Sequence, residues 1–265
     1  MAKKRADIIL HEKGLVESRE KGKRVIMEGS VYVGEKRVDK PGEYLDETVE
    51  IHIRSNPLPY VSRGGLKLEK AMAVFDIDLE GSVCMDMGAS TGGFTDCMLQ
   101  SGAKKVYAVD VGYGQLDWRL RNDPRVVVME RTNIRYMEND SIEDRLDFVS
   151  IDVSFISLKH ILPVASAFLK ENGRIAALVK PQFEAGRDKV GKKGIVRDRA
   201  VHKEVIQAVM GYGKQSGLYP EGLTFSPITG TTGNIEFLMC LSKNNRELTE
   251  LEIEKVLDEA HDNLG

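Results

Sequence analysis

The sequence predicts an α/β protein, a parallel sheet closed by one antiparallel strand, preceded by a small α+β module. Three observations predict it. Short apolar runs separated by helix-forming segments recur between residues 83 and 179, and alternating strands and helices build a parallel sheet through right-handed crossovers. The last two apolar runs, within residues 218–228 and 235–241, are separated only by residues 229–234. That connection is too short for a parallel crossover, so these two strands run antiparallel. The first sixty residues have another texture, two short helical segments followed by alternating valines and isoleucines.

Composition bounds the answer. A chain of 265 residues, 42% hydrophobic and 30% charged, holds one large domain and one small one. The net charge of −3 does not mark a nucleic-acid binder, so local basic clusters must carry any such reading. No apolar run approaches a membrane span. The basic start Met-Ala-Lys-Lys-Arg has no apolar core behind it, so no signal peptide is expected. Cys84, Cys97 and Cys240 have no metal-ligand spacing; they are expected to be reduced core thiols of a cytoplasmic protein without a metal or membrane partner.

In the small module, residues 5–13 predict a helix stopped by Gly14, and Ser18 is a good N-cap for a second helix reaching Gly29. Val31 and Val33 alternate, Gly34 and Pro41-Gly42 turn the chain, and Val49, Ile51 and Ile53 alternate again. Arg19, Lys21, Lys23 and Arg24, with Lys3, Lys4 and Arg5, are placed to grip phosphates. Glu17 and Glu20 among them leave a solvated helix face equally open on charge alone. The stretch RADIILHEKGLVESREKGKRVIMEGSVYVGEKRVDKPGEYL decides between these. It resembles the S4-like RNA-binding domain in its leading Arg-x-Asp, its Leu-x-x-Ser-Arg before the second helix, its Gly-x-Val-x-Val strand and its Lys-Pro-Gly turn. The domain reading is 1–54, a short stiff linker at 55–60 with Pro57 and Pro59, and 61–265.

The large domain opens with an amphipathic helix around Leu66, Ala71, Val74 and Phe75. Lys67 and Lys70 near its start oppose the helix dipole, so stability does not explain them. Then comes Val83-Cys84-Met85-Asp86-Met87-Gly88-Ala89-Ser90-Thr91-Gly92-Gly93-Phe94, a buried strand, an acid, and a glycine-rich turn opening a helix. Such a turn lets a ligand approach the backbone at the carboxyl end of a strand. No Lys-Ser/Thr follows the glycines, so it is not a P-loop. The spacing Gly-x-x-x-Gly-Gly fits a dinucleotide fingerprint poorly, and an acid disfavours a pyrophosphate there. Asp86 suits the cationic sulfonium and amino group of S-adenosylmethionine instead. Asp110, ending the next strand at 106–110, suits the ribose hydroxyls of that cofactor, and Asn133, after a third strand at 126–129, falls where adenine is recognised. Gly88, Ser90, Gly92, Gly93 and Phe94 complete the expected pocket. A fourth strand, 146–152, ends in Asp152. A helix at 161–169 is expected to end at Gly173, a fifth strand at 175–179 ends in Lys180-Pro181, and helices are predicted over 199–213 and 250–263. A parallel sheet with one antiparallel strand is the shape of class I S-adenosylmethionine-dependent methyltransferases.

Lys67, Asp152, Lys180 and Glu236 fall at element ends that converge on this pocket. Methyl transfer to a hydroxyl needs a base and in-line positioning. A lysine serves as base if burial or cationic neighbours lower its pKa. Lys180, after a fully apolar strand, is the candidate base; Lys67 would orient the substrate oxygen, and Asp152 and Glu236 would position the two ammonium groups. Glu236 sits inside the apolar NIEFLMCL and needs a partner.

The motifs YVSRGGLKLEKA, DMGASTGGFTD, VDVGYGQL, DFVSIDVSFISL, VKPQFEAGR and GNIEFL resemble the TlyA-type, hemolysin A-like family of FtsJ-like rRNA 2′-O-methyltransferases. The resemblance covers essentially the whole chain and places the family's Lys-Asp-Lys-Glu tetrad on Lys67, Asp152, Lys180 and Glu236. It implies methylation of cytidine ribose in small- and sometimes large-subunit rRNA, with ribosomal subunits as partners. Tyr60-Val61 stands where relatives carry Trp-Val, and Thr91 stands where FtsJ-like loops often have Pro. From 180 to 203 there are eight Lys/Arg against three Asp/Glu. This tract reads as a mobile loop for RNA phosphates, with Arg187, Lys189, Lys192 and Lys193 as contacts and Arg63 added from the start of the large domain. Two other functions stay open: a membrane-lytic hemolysin, against which stands the lack of an apolar span, and an inactive rRNA-binding assembly factor, against which stands the complete tetrad.

Overall fold

The computed structural model describes residues 3–27, 29–34, 36–53, 59–191 and 193–265. The chain divides into two compact units, Met1–Arg63 and Gly64–Gly265. Most of the proposed linker, and Lys192 of the basic tract, lie outside the described residues.

The N-terminal unit runs β1 (Lys3–Arg5), α1 (Ala6–Glu12), α2 (Arg19–Met27), β2 (Val31–Val33), β3 (Lys36–Arg37), β4 (Tyr44–Asp46) and β5 (Ile51–Ile53). Ser18 Oγ accepts from the Lys21 amide at 3.1 Å, the cap that starts α2. β2 lies between β3 and β5, while β1 pairs antiparallel with β4. That second pair is only three residues long and too polar to read from hydropathy. The core is small, with Ile9, Leu10, Ile26, Val31 and Ile51 closing on one another. Beside it Asp7 is fully buried, and its carboxylate accepts from Arg5 (2.9 and 3.0 Å) and Arg19 (3.0 Å). Burial pushes this carboxyl up, but the two guanidinium groups outweigh it and hold it below the usual range.

The C-terminal unit runs α3 (Gly64–Phe75), β6 (Val83–Met87), α4 (Gly93–Gln100), β7 (Lys105–Val109), α5 (Trp118–Arg121), β8 (Val126–Met129), β9 (Leu146–Ile151), α6 (Leu162–Phe168), β10 (Leu169–Val179), α7 (Pro181–Glu184), α8 (Arg199–Gln215), β11 (Tyr219–Phe225), β12 (Phe237–Ser242) and α9 (Glu250–Leu264). Its seven strands are ordered β11-β12-β10-β9-β6-β7-β8. β12 is antiparallel to both neighbours and the remaining pairs are parallel. Strand order reverses between β6 and β9, the switch point where open α/β sheets bind ligands. The central strands are buried on both faces, as every residue of β6 is. Fully buried Phe148, Phe168, Phe237, Met85 and Leu146 anchor this core, each contributing roughly 1.5–3 kcal/mol of burial. Helix ends follow local chemistry: Asp198 caps α8, and Thr249 forms a reciprocal capping box with Glu252 at α9.

Two expectations are corrected here. The helix expected to end at Gly173 ends at Phe168, and β10 begins at once, with a register shift against β9 between Leu169 and Arg174. Gly173 instead makes room inside the strand, since a Cβ there would lie 2.7 Å from Leu169 Cδ1. The basic tract is also not a free loop. Buried Asn234 accepts from the Val196 amide and donates to the Gly194 carbonyl, both at 2.9 Å. The ring Nε2 of buried His202 donates to the Val196 carbonyl at 3.1 Å, so its Nδ1 accepts from His261 at 3.0 Å.

Candidate active site at one edge of the sheet

Strand register assembles the site. Val109 pairs with Met87, Met87 with Ile151, and Val179 with Phe237, while Ile151 pairs with Ala177. One step beyond these strand ends stand Asp110, Gly88, Asp152, Lys180 and Glu236, in the spatial order β7-β6-β9-β10-β12. Five residues spread over 149 positions of sequence, from 88 to 236, thus share one edge.

The four tetrad candidates meet as two ion pairs. Lys67, on the first turn of α3, places Nζ 2.6 Å from Glu236 Oε2, with side chains only 11% and 3% exposed. Lys180 Nζ lies 2.5 Å from Asp152 Oδ1 and 2.9 Å from Ser154 Oγ. Lys180 is itself buried. A buried ammonium with a fixed carboxylate keeps its direction, because an unpaired buried charge is costly.

The glycine turn is built by close packing. At Gly88, φ is +92° and a Cβ would lie 2.6 Å from the Asp152 carbonyl oxygen, so only glycine lets these two strand ends touch. At Gly92, φ is +94° and a Cβ would collide with Leu120 and Leu116. Gly93 begins α4 and Phe94 is buried behind it. Ser90, exposed at the tip, holds φ +48°, a left-handed conformation rare for a non-glycine residue. Asp110 supports that turn, with Oδ2 accepting from the Ser90 amide at 2.8 Å and Oδ1 from Gly112 at 2.7 Å.

Asp86 faces inward. It is fully buried, and its oxygens accept from the Thr95 amide (2.9 Å), Thr95 Oγ1 (2.7 Å) and Ser150 Oγ (3.1 Å). Burial raises this carboxyl to about 7; the Thr95 and Ser150 bonds pull it back, and the charge of Asp152 adds to the rise. Asp86 therefore ties β6 to the first turn of α4, while Asp110 and Asp152 stand at the open edge. Asn133 is exposed after β8, where Oδ1 accepts from the Arg135 amide at 3.1 Å.

Of the candidate RNA contacts, Arg5 and Arg19 are engaged by Asp7. Lys21 and Arg24 are exposed on α2, and Lys23 lies 3.7 Å from Glu20. Arg63 is partly buried, 3.9 Å from Asp39. Arg187 and Lys189 form an exposed helical turn, with Lys189 paired to Glu204, and Lys193 is exposed. Arg199 and Lys203 at the end of the tract are bound to α9 through Glu254, Asp258 and Glu250.

Sequence reading missed several residues that shape this edge. Ser154 had no motif to mark it beyond the repeated Ser-x-x-Ser of DVSFISL. Tyr113, Tyr136 and Phe155 follow the ends of β7, β8 and β9 and are exposed, Phe155 by 90%. Arg131 stacks over Tyr113 at 4.2 Å and Arg135 lies 5.6 Å from Tyr136. Large exposed aromatics just past strand ends were the available signal. The three cysteines are free and buried, and burial raises the Cys84 thiol to about 12, so none is a nucleophile.

A seven-stranded sheet with one antiparallel strand, a glycine turn at its switch point and paired lysines beside it defines a class I methyltransferase. Residues 60–243 match the FtsJ-like methyltransferase family and residues 4–51 the S4 domain. The chain belongs to the FtsJ-like methyltransferases, in their TlyA and hemolysin A branch. It is 54% identical over 99% of its length to YqxC of Bacillus subtilis, named as a candidate rRNA methyltransferase, of which it covers 95%. It is 39% identical over 97% of its length to the 16S/23S rRNA (cytidine-2'-O)-methyltransferase TlyA of Mycobacterium tuberculosis, covering 96% of that protein. A solved structure titled as a candidate hemolysin from Streptococcus thermophilus superposes with a TM-score of 0.78 at 49% identity, covering 99% of this chain and 97% of that one.

Proposed function

We propose that this enzyme transfers the methyl group of S-adenosylmethionine to the ribose 2′-hydroxyl of a cytidine in ribosomal RNA, in the cytoplasm. The observation that carries this reading is the pair of lysine–carboxylate contacts, Lys180–Asp152 and Lys67–Glu236, each with one buried partner, beside the glycine turn. The residues fit the cofactor: Asp110 and Asp152 stand at the open edge beside the glycine turn, and carboxylates there suit a cationic adenosyl group. When bound, the cofactor supplies an electrophilic methyl group.

The chain's own residues then have separate tasks. Lys180 Nζ is the base that would take the proton from the 2′-hydroxyl as the methyl group exchanges its bond to sulfur for the bond to that oxygen. Asp152 and Ser154 hold that nitrogen in place. Lys67, fixed by Glu236, orients the substrate oxygen. The S4 unit docks on folded rRNA through α2, and Tyr113, Tyr136 and Phe155 offer faces to unstacked bases at the sheet edge. Labelled methyl transfer to ribosomal subunits from cells lacking the gene tests this. Label on a ribose oxygen, absent with Lys180→Ala, is expected; label on a base would overturn the ribose assignment. No helix among the described residues is long and apolar enough to cross a membrane.

A further inference from the structure

The Lys180–Asp152 contact joins two chain segments that leave the sheet in parallel and have no ladder beyond Ile151 and Ala177 to hold them. Asp152 is held to β6 through its amide and Val179 to β12 by pairing with Phe237, and side chains bridge the two segments directly. Glu184, the last residue of α7, lies four positions after Lys180, and Ser157 lies five positions after Asp152. Glu184 Oε2 accepts from Ser157 Oγ at 2.6 Å and Oε1 accepts from the Leu158 amide at 2.8 Å. Phe155 and Phe183 pack across the same gap, with ring centroids 5.0 Å apart. Phe155 holds φ +64°, a conformation a bulky residue adopts only under outside restraint.

We propose that Glu184 is a positioning residue, a clamp that binds the segment after β9 to α7 and thereby presets Lys180 Nζ against Asp152 and Ser154. This rests on Lys180 being the base of the proposed methyl transfer. The geometry of α7 transmits the clamp. Pro181 sets the first turn, the Phe183 amide donates to the Lys180 carbonyl at 2.9 Å, and the Ala185 amide donates to Pro181. Lys180 and Glu184 therefore move as one body. Burial holds the Glu184 carboxyl above its ordinary range although two donors reach it, so this acid is kept in a site that water would otherwise serve better.

The test uses the full chain with Glu184→Ala, Glu184→Gln and Ser157→Ala. The first readout needs no turnover: pulse acetylation with acetic anhydride, followed by peptide mapping, measures the reactivity of Lys180 against exposed Lys255. Glu184→Ala is expected to raise Lys180 labelling at least threefold. Methyl-transfer kinetics on ribosomal subunits should show kcat lowered at least tenfold, with the cofactor KM within twofold of wild type. Glu184→Gln should recover most of both, since its carbonyl still accepts from Leu158 and its amide donates to Ser157 Oγ. Unchanged labelling and kcat in Glu184→Ala, or a Gln variant as damaged as Ala, would overturn the clamp. If Glu184→Ala does not fold, Ser157→Ala decides, because it removes the Ser157 Oγ bond to Glu184, together with the cap that Oγ gives the Lys159 amide, and leaves the Leu158–Glu184 bond in place: raised labelling supports the clamp and wild-type labelling overturns it. A wild-type protein that transfers no methyl would fail the functional reading, while the labelling comparison still judges the clamp.

Discussion

Lys67 and Glu236 state the residue-scale problem: a charge nearly out of solvent is tolerable only with its partner. Lys67→Met leaves Glu236 buried and unpaired and is expected to cost about 3–5 kcal/mol. Replacing both by Met and Leu should recover most of that stability, because an apolar pair of similar volume avoids desolvation altogether. Methyl transfer is expected to stay absent in the double variant. Urea denaturation of the wild type, Lys67→Met, Glu236→Leu and the double variant, paired with the methylation assay, separates the two effects; a double variant no more stable than Lys67→Met would contradict the pairing argument. Gly88 makes a complementary point. An alanine there meets backbone, the Asp152 carbonyl at 2.6 Å, rather than a side chain that can swing away. Gly88→Ala should therefore cost about 2 kcal/mol or more and displace Asp152, with loss of activity at temperatures where the protein remains folded.

At the scale of elements, side chains from distant parts of the chain fasten the segments that hydropathy left undefined. Asn234 ties residues 194 and 196 to the approach to β12, two positions before Glu236. Asn234→Ala removes three side-chain hydrogen bonds, to Val196, Gly194 and Thr232, and leaves the Val196 amide buried without its acceptor, a cost of about 1–3 kcal/mol. Limited proteolysis is expected to cut within 187–197 in this variant and to spare the wild type; an unchanged cleavage pattern would count against the tie. In the N-terminal unit, Asp7 does the same for β1 and α2. Its two arginine partners remain about a third or more exposed, so their share of the stability is screened. Arg5 and Arg19 thus cannot be read as free phosphate ligands simply because they are basic, whereas Lys21 on the same helix stands exposed.

At the scale of the molecule, two buried titrating groups oppose one another. Burial, and the neighbouring His261, lower His202 to about 4, so acid protonates the unfolded chain first. Its contribution is present above about 6.5 and is lost as pH falls toward 4. Asp86, raised to about 7, works in the other direction: its contribution is present at low pH and is lost as pH rises from its ordinary value through 7. Between pH 7 and 5 each amounts to on the order of 2 kcal/mol and they nearly cancel. In cofactor-free protein, Asp86→Asn should expose the histidine slope, so that stability falls on acidification. His202→Gln should expose the opposite slope. Denaturation midpoints at pH 5, 6 and 7 check both signs. A net charge of −3 leaves RNA affinity to local patches, so binding to ribosomal subunits should weaken steeply with salt, and Lys21→Ala with Lys23→Ala should flatten that dependence.

The sequence by itself determined the architecture. Apolar runs mark β7 and β12 within two residues because a strand covered on both faces is apolar nearly throughout. The short link at 229–234 determined that β12 runs antiparallel. It also put acids, lysines and glycines just past strand ends, which is where ligands meet such sheets. Tertiary structure decided the pairings. That Lys67 meets Glu236 across 169 positions, that Asp86 turns inward to Thr95 while Asp110 supports Ser90, and that the basic tract is pinned through Asn234 are matters of register and packing. Hydropathy records whether a residue is buried, but a hydrogen bond depends on distance and direction in space. Those are set only when the sheet brings its strand ends side by side.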